Sequence, residues 1–104
     1  LRKGKRSRAL SIPTFTDGDI TPSVGEGSVF KTCAGGSGTT IRTFDNGQAG
    51  EIITVICSNI STRFAHGYGL LNAGAETLRC DTNDTLQWVY DGTNWFNLGT
   101  SDNS

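Results

Sequence analysis

The stretch 84–98 reads Asp84-Thr85-Leu86-Gln87-Trp88-Val89-Tyr90-Asp91-Gly92-Thr93-Asn94-Trp95-Phe96-Asn97-Leu98. Two runs of aromatic and branched residues flank Asp91-Gly92-Thr93-Asn94. Asp, Asn and Gly accept the φ > 0 conformations that a tight chain reversal needs. The pattern predicts a β-hairpin in which 86–90 pairs with 95–98. Period-two alternation puts Leu86, Trp88 and Tyr90 on one face, the face expected to pack into a core and form cross-strand aromatic pairs.

The same pattern extends upstream. Short runs rich in Val, Ile, Thr and aromatics recur at 10–15, 28–32, 39–44, 51–57, 62–65 and 76–78, before 85–90 and 95–98. Gly, Asp and Asn separate them, as in Asp45-Asn46-Gly47. This spacing marks a sandwich or barrel. No segment repeats apolar residues at i, i+3, i+4 and i+7 over three turns, so almost no helix is expected. The expected fold is all-β, a small antiparallel β-sandwich or a jelly-roll-like domain. Gly35-Gly36-Ser37-Gly38 reads as a flexible connection, because it lacks the Lys-Ser/Thr ending of a phosphate-cradling loop.

One run departs from simple alternation. Ile52-Ile53-Thr54-Val55-Ile56-Cys57 is apolar on both faces, whereas a half-exposed antiparallel strand alternates. Either it is central in a compact sandwich, or one face meets another subunit, with Ile53 and Val55 the residues expected at that contact. Association would supply core that a chain of 104 residues has little of.

Length and charge narrow the function. The chain has room for one small domain, expected at 11–104, and none for a large cofactor-binding fold. Met is absent, so a fragment or processed product is expected. No apolar run approaches ~18 residues, which argues against membrane insertion, and no apolar segment of a signal peptide follows the basic start. Residues 1–10 hold Arg2, Lys3, Lys5, Arg6 and Arg8 and read as a flexible basic arm or linker. The remainder has four cations, Lys31, Arg42, Arg63 and Arg79, against ten carboxylates, for a net charge of −6. The arm offers no aromatic to stack on bases, and the acidic body repels a polyanion, so nucleic acid is not an expected partner.

Catalytic and metal constellations are missing from the pattern. Cys33, Cys57 and Cys80 show no CxxC spacing, and His66 is the one histidine, so no metal and no cofactor are expected. The odd cysteine count argues against a disulfide framework and for small buried thiols kept in a reducing compartment. His66 has no nucleophile-elbow sequence to serve. Asp17/Asp19 and Asp81/Asp84 are the residue types of glycoside hydrolysis, but both pairs sit in turn-like stretches where Asp caps backbone. No enzyme is expected. Asn59-Ile60-Ser61 and Asn83-Asp84-Thr85 match glycosylation acceptors, a pattern common by chance. Among the aromatics, Tyr68 and Trp95 lie beside turns and are the expected contacts for a sugar ring.

Several pieces together carry a resemblance. They are Ile20-Thr21-Pro22-Ser23-Val24, Val29-Phe30-Lys31-Thr32, Thr39-Thr40-Ile41-Arg42-Thr43-Phe44 and Gly50-Glu51-Ile52-Ile53-Thr54-Val55-Ile56. Asp84-Thr85-Leu86 and Val89-Tyr90-Asp91-Gly92-Thr93-Asn94-Trp95 follow. In this order, over 20–98, they resemble the small β domain near the C-terminus of bacteriophage tailspikes and tail fibres. The resemblance implies a homotrimeric, non-enzymatic module that caps or staples a fibre shaft, joins other virion proteins and in some cases touches a host cell-surface glycan. It implies a place in the virion, assembled in the bacterial cytoplasm, and it brings no catalytic residues. Segment 59–80 and the three cysteines depart from the family pattern, and the arm has no counterpart there. A capsid decoration protein and a stand-alone carbohydrate-binding module are the alternatives.

Overall fold

The computed structural model describes residues 12–34 and 38–103. The basic arm expected at 1–10 and residues 35–37 of the expected flexible connection lie outside the described residues. Among the described residues eight strands run in chain order: β1 (Val29–Lys31), β2 (Thr39–Ile41), β3 (Ile52–Ile56), β4 (Thr62–Phe64), β5 (Leu70–Leu71), β6 (Leu78–Arg79), β7 (Thr85–Tyr90) and β8 (Trp95–Ser101). A single 3₁₀ turn, Ala73–Ala75, is the other regular element among the described residues. The all-β expectation holds.

The strands form two sheets, β1-β3-β7-β8-β5 and β2-β4-β6. From β1 to β6 the chain alternates between them, one strand to the larger sheet and the next to the smaller. Within that stretch, strands adjacent in a sheet are therefore separated by a crossing of the other sheet. A parallel pair requires a crossover connection, and here β2 and β3 act as crossovers. Thus β1 pairs with β3, and β2 with β4, in parallel. The sheets are mixed rather than purely antiparallel.

The hairpin forms as its turn chemistry predicts. Tyr90 pairs with Trp95 and Val89 with Phe96, and a bulge between Gln87 and Trp88 shifts the register further along. Asp91 Oδ1 accepts from the backbone N–H groups of Thr93 and Asn94, each at 2.8 Å, which closes the turn. Segment 10–15 is not a strand in its described part. Thr14 makes one isolated bridge to Lys31, and Pro13, with no N–H, cannot extend the ladder.

The core lies between the sheets. Phe30, Ile53, Val55, Leu70, Leu86, Trp88 and Trp95 face inward from the larger sheet, and Ile41 and Phe64 from the smaller; all are buried. Rings bridge the gap, with Phe64 to Trp88 at 4.8 Å and Phe44 to Trp95 at 5.4 Å between centroids. Asn72 supplies the polar tie. Its Nδ2 donates to the carbonyls of Phe64 and Glu76, both at 2.9 Å, and its Oδ1 accepts from Trp88 Nε1 at 3.1 Å.

Two expectations are corrected. Ile53 and Val55 are 0 % exposed within a single chain, opposite Trp88 and Leu86, so they cannot form a subunit contact. The strand alternates after all, and its outward positions Ile52, Thr54 and Ile56 happen to be mostly apolar. The cysteines are not all free. Cys57, just past β3, and Cys80, just past β6, form a disulfide with Cα atoms 5.4 Å apart, while Cys33 is a free thiol. One pair and one free thiol also give an odd count, and the crossing of the chain between sheets joins residues that the sequence separates.

Candidate binding surfaces

Trp95 is corrected as a glycan contact. It is 0 % exposed, its Nε1 donates to the Phe44 carbonyl at 3.2 Å, and its ring stacks on Tyr90 at 4.5 Å. Gly47 lies directly under the indole, where an added Cβ would come within 2.9 Å of Cη2. Position beside a turn suggested exposure, but register decides the face, and Trp95 shares the inward face with Leu70 and Tyr90.

Tyr68 stands where a ligand could reach it. It is 61 % exposed, between Gly67 and Gly69, whose φ values of 102° and 132° exclude ordinary side chains. A Cβ on Gly69 would also strike Thr43, so glycine lets this loop press against the segment after β2. The Arg42 guanidinium lies 4.7 Å from the ring centroid, a cation–π contact that holds the phenol in place.

The outer faces of the two sheets differ in chemistry. Across the larger sheet runs the row Ile52–Val89–Phe96–Leu71, fixed by register. Ile52 is 49 % and Phe96 38 % exposed, and neighbouring Leu98 is 53 % exposed. Across the smaller sheet runs Thr40–Arg63–Arg79, all exposed.

The remaining candidates have structural roles. His66 Nδ1 accepts from the Asn72 backbone N–H at 3.0 Å, within the network that orients Trp88. Asp19 Oδ1 caps Thr21 N–H at 3.0 Å, and Asp17 accepts from the Thr39 hydroxyl at 3.2 Å. Asp81 and Asp84 close a turn through the Asp84 N–H to the Asp81 carbonyl at 2.9 Å. Burial raises the Asp84 pKa above its ordinary value, and Asp102 and Asp81 add to the rise while the Asn103 N–H opposes it. The Asn94 and Thr93 N–H groups hold Asp91 below its ordinary value. The Asn59 side chain is engaged at both ends, by the Cys33 carbonyl at 2.7 Å and the Ser61 N–H at 3.0 Å. Among the described residues no group of three or more His, Cys, Asp or Glu side chains could hold a metal ion, and no helix is long and apolar enough to cross a membrane.

Fold and surfaces together define a disulfide-pinned β-sandwich with one apolar and one cationic outer face. No family model matches the chain, and neither does any curated protein or solved structure.

Proposed function

We propose that this chain is a non-enzymatic assembly module that associates with copies of itself, as a homotrimer, through the outer face of its larger sheet. The observation that carries this reading is the outward apolar row Ile52–Val89–Phe96–Leu71, continued by Leu98, in which Ile52, Phe96 and Leu98 are exposed and Val89 and Leu71 half-buried. Contiguous apolar patches of this kind, beyond scattered single residues, mark interaction surfaces. The sequence resemblance of 20–98 to phage tailspike and tail-fibre domains supports a role in a virion, in a fibre or spike or as a capsid decoration protein contacting other virion proteins. Light scattering behind a sizing column tests it. The expected mass is three chains, falling to one chain in Ile52→Asp/Phe96→Asp with an unchanged circular dichroism spectrum. A single-chain mass for the wild type, or a trimer indifferent to both substitutions, refutes it.

A second reading, a carbohydrate-binding module that contacts a host surface glycan, is favoured by Tyr68. Its exposed ring, steadied by Arg42, suits the apolar face of a sugar.

A further inference from the structure

Arg63 on β4 and Arg79 on β6 are directly opposite each other on the outer face of the smaller sheet. Opposed side chains have Cβ atoms about 5 Å apart, and like charges in that arrangement destabilise a sheet. Neither guanidinium is hydrogen-bonded or ion-paired to a described residue. The repulsion is therefore uncompensated among the described residues. Arg42 follows Thr40 by two positions, with buried Ile41 between, and so lies on the same side. Three of the four cations in 11–104 thus gather on one face of an otherwise acidic body, and the third of them carries Tyr68 against it.

Paired guanidinia without carboxylate partners among the described residues are donors available to oxyanions. The neighbouring tyrosine adds a flat apolar surface at the rim. We infer that this face binds an acidic polysaccharide, with Arg63 and Arg79 engaging its carboxylate or sulfate groups and Tyr68 receiving a sugar ring. This inference rests on the carbohydrate-binding reading and names the ligand class. A nucleic acid fits less well. Its dense phosphates, one charge per ~1.7 Å of duplex, would also meet the ten carboxylates of the body. A polysaccharide with one acidic group per ring or fewer can place its charges on the arginine pair alone.

The test uses the full chain in affinity electrophoresis through gels containing alginate, chondroitin sulfate, neutral dextran or duplex DNA, at about 0.15 M salt. The basic arm attracts any polyanion, so wild type is compared with Arg63→Gln/Arg79→Gln, which keeps the arm. The expected result is binding to alginate or chondroitin sulfate that weakens about tenfold in the double variant. The melting temperature of the variant should be unchanged or higher, because the repulsion is gone. Tyr68→Ala is expected to weaken binding as well. Equal retardation of wild type and double variant overturns the inference, as does the absence of binding to both acidic glycans. Tighter, arginine-dependent binding to DNA overturns the ligand class. Binding to dextran that ignores the arginines overturns the inference yet leaves the carbohydrate-binding reading standing.

Discussion

Reducing the Cys57–Cys80 disulfide is the perturbation with the most direct magnitude. The two residues are 23 apart in sequence. Closing a loop of that length removes denatured-state entropy worth about 3.4 kcal/mol at 25 °C. For a domain of this size each kcal/mol moves the melting temperature by about 4–8 °C, so reduction should lower it by roughly 14–27 °C. The assay is thermal circular dichroism on protein first equilibrated with oxidised glutathione, with and without a phosphine reductant. Alkylation and mass measurement run in parallel. One alkylated thiol per oxidised chain is expected, Cys33, rising to three after reduction. A melting temperature that moves by less than about 5 °C on reduction, or three reactive thiols in the oxidised protein, would show that the bond does not pin the sheets together.

Other perturbations address the packing and the turns. Gly47→Ala pushes a methyl group into the buried Trp95 ring and should destabilise the fold by about 1–3 kcal/mol, read by urea denaturation. Asn72→Ala strands Trp88 Nε1 and the Phe64 carbonyl in the interior, at an expected cost of about 4 kcal/mol, with a change in tryptophan fluorescence. The two shifted aspartates predict opposite responses to acid. Asp91 is depressed, so its contribution is present above the unfolded pKa and is lost as pH falls through its folded value; Asp91→Asn should flatten that acid-side loss. Asp84 is raised, so its contribution is present below the unfolded pKa and is lost as pH rises through the folded value. Melts of Asp84→Asn should lack the gain that wild type shows as pH falls from neutral toward about 4. A wild-type to Asp84→Asn difference that is constant with pH would contradict the assignment.

What the sequence made legible is what local chemistry decides. The β7–β8 hairpin follows from Asp91-Gly92-Thr93-Asn94, and the inward face of Leu86 and Trp88 follows from alternation. Trp95 is not legible, because adjacency to a turn says nothing about which face a register assigns. Outward Ile52 and Ile56 make both faces of 52–57 look alike, so the sequence leaves a sandwich core and a subunit contact open for Ile53 and Val55; pairing with Trp88 and Leu86 resolves the ambiguity in favour of the core. Leu70–Leu71 is too short to show a period and lies just beyond two glycines. The disulfide, the Arg63–Arg79 opposition and the ties through Asn72 join residues that meet because of the tertiary crossing pattern. No window of the sequence contains that pattern.

The weaving of β1 to β6 between the sheets sets the order of folding events. Neither sheet is a contiguous stretch of chain, and β7 and β8, which occupy inner positions of the larger sheet, are its last strands. While a ribosome is still making residues before β7, β3 has no antiparallel partner, and the apolar run 52–57 waits without cover. Productive folding therefore begins only after the final hairpin emerges, and non-local pairings of this kind form slowly. A chain arrested before residue 85 should remain unstructured and prone to aggregate, and the complete domain should acquire both sheets in one cooperative step.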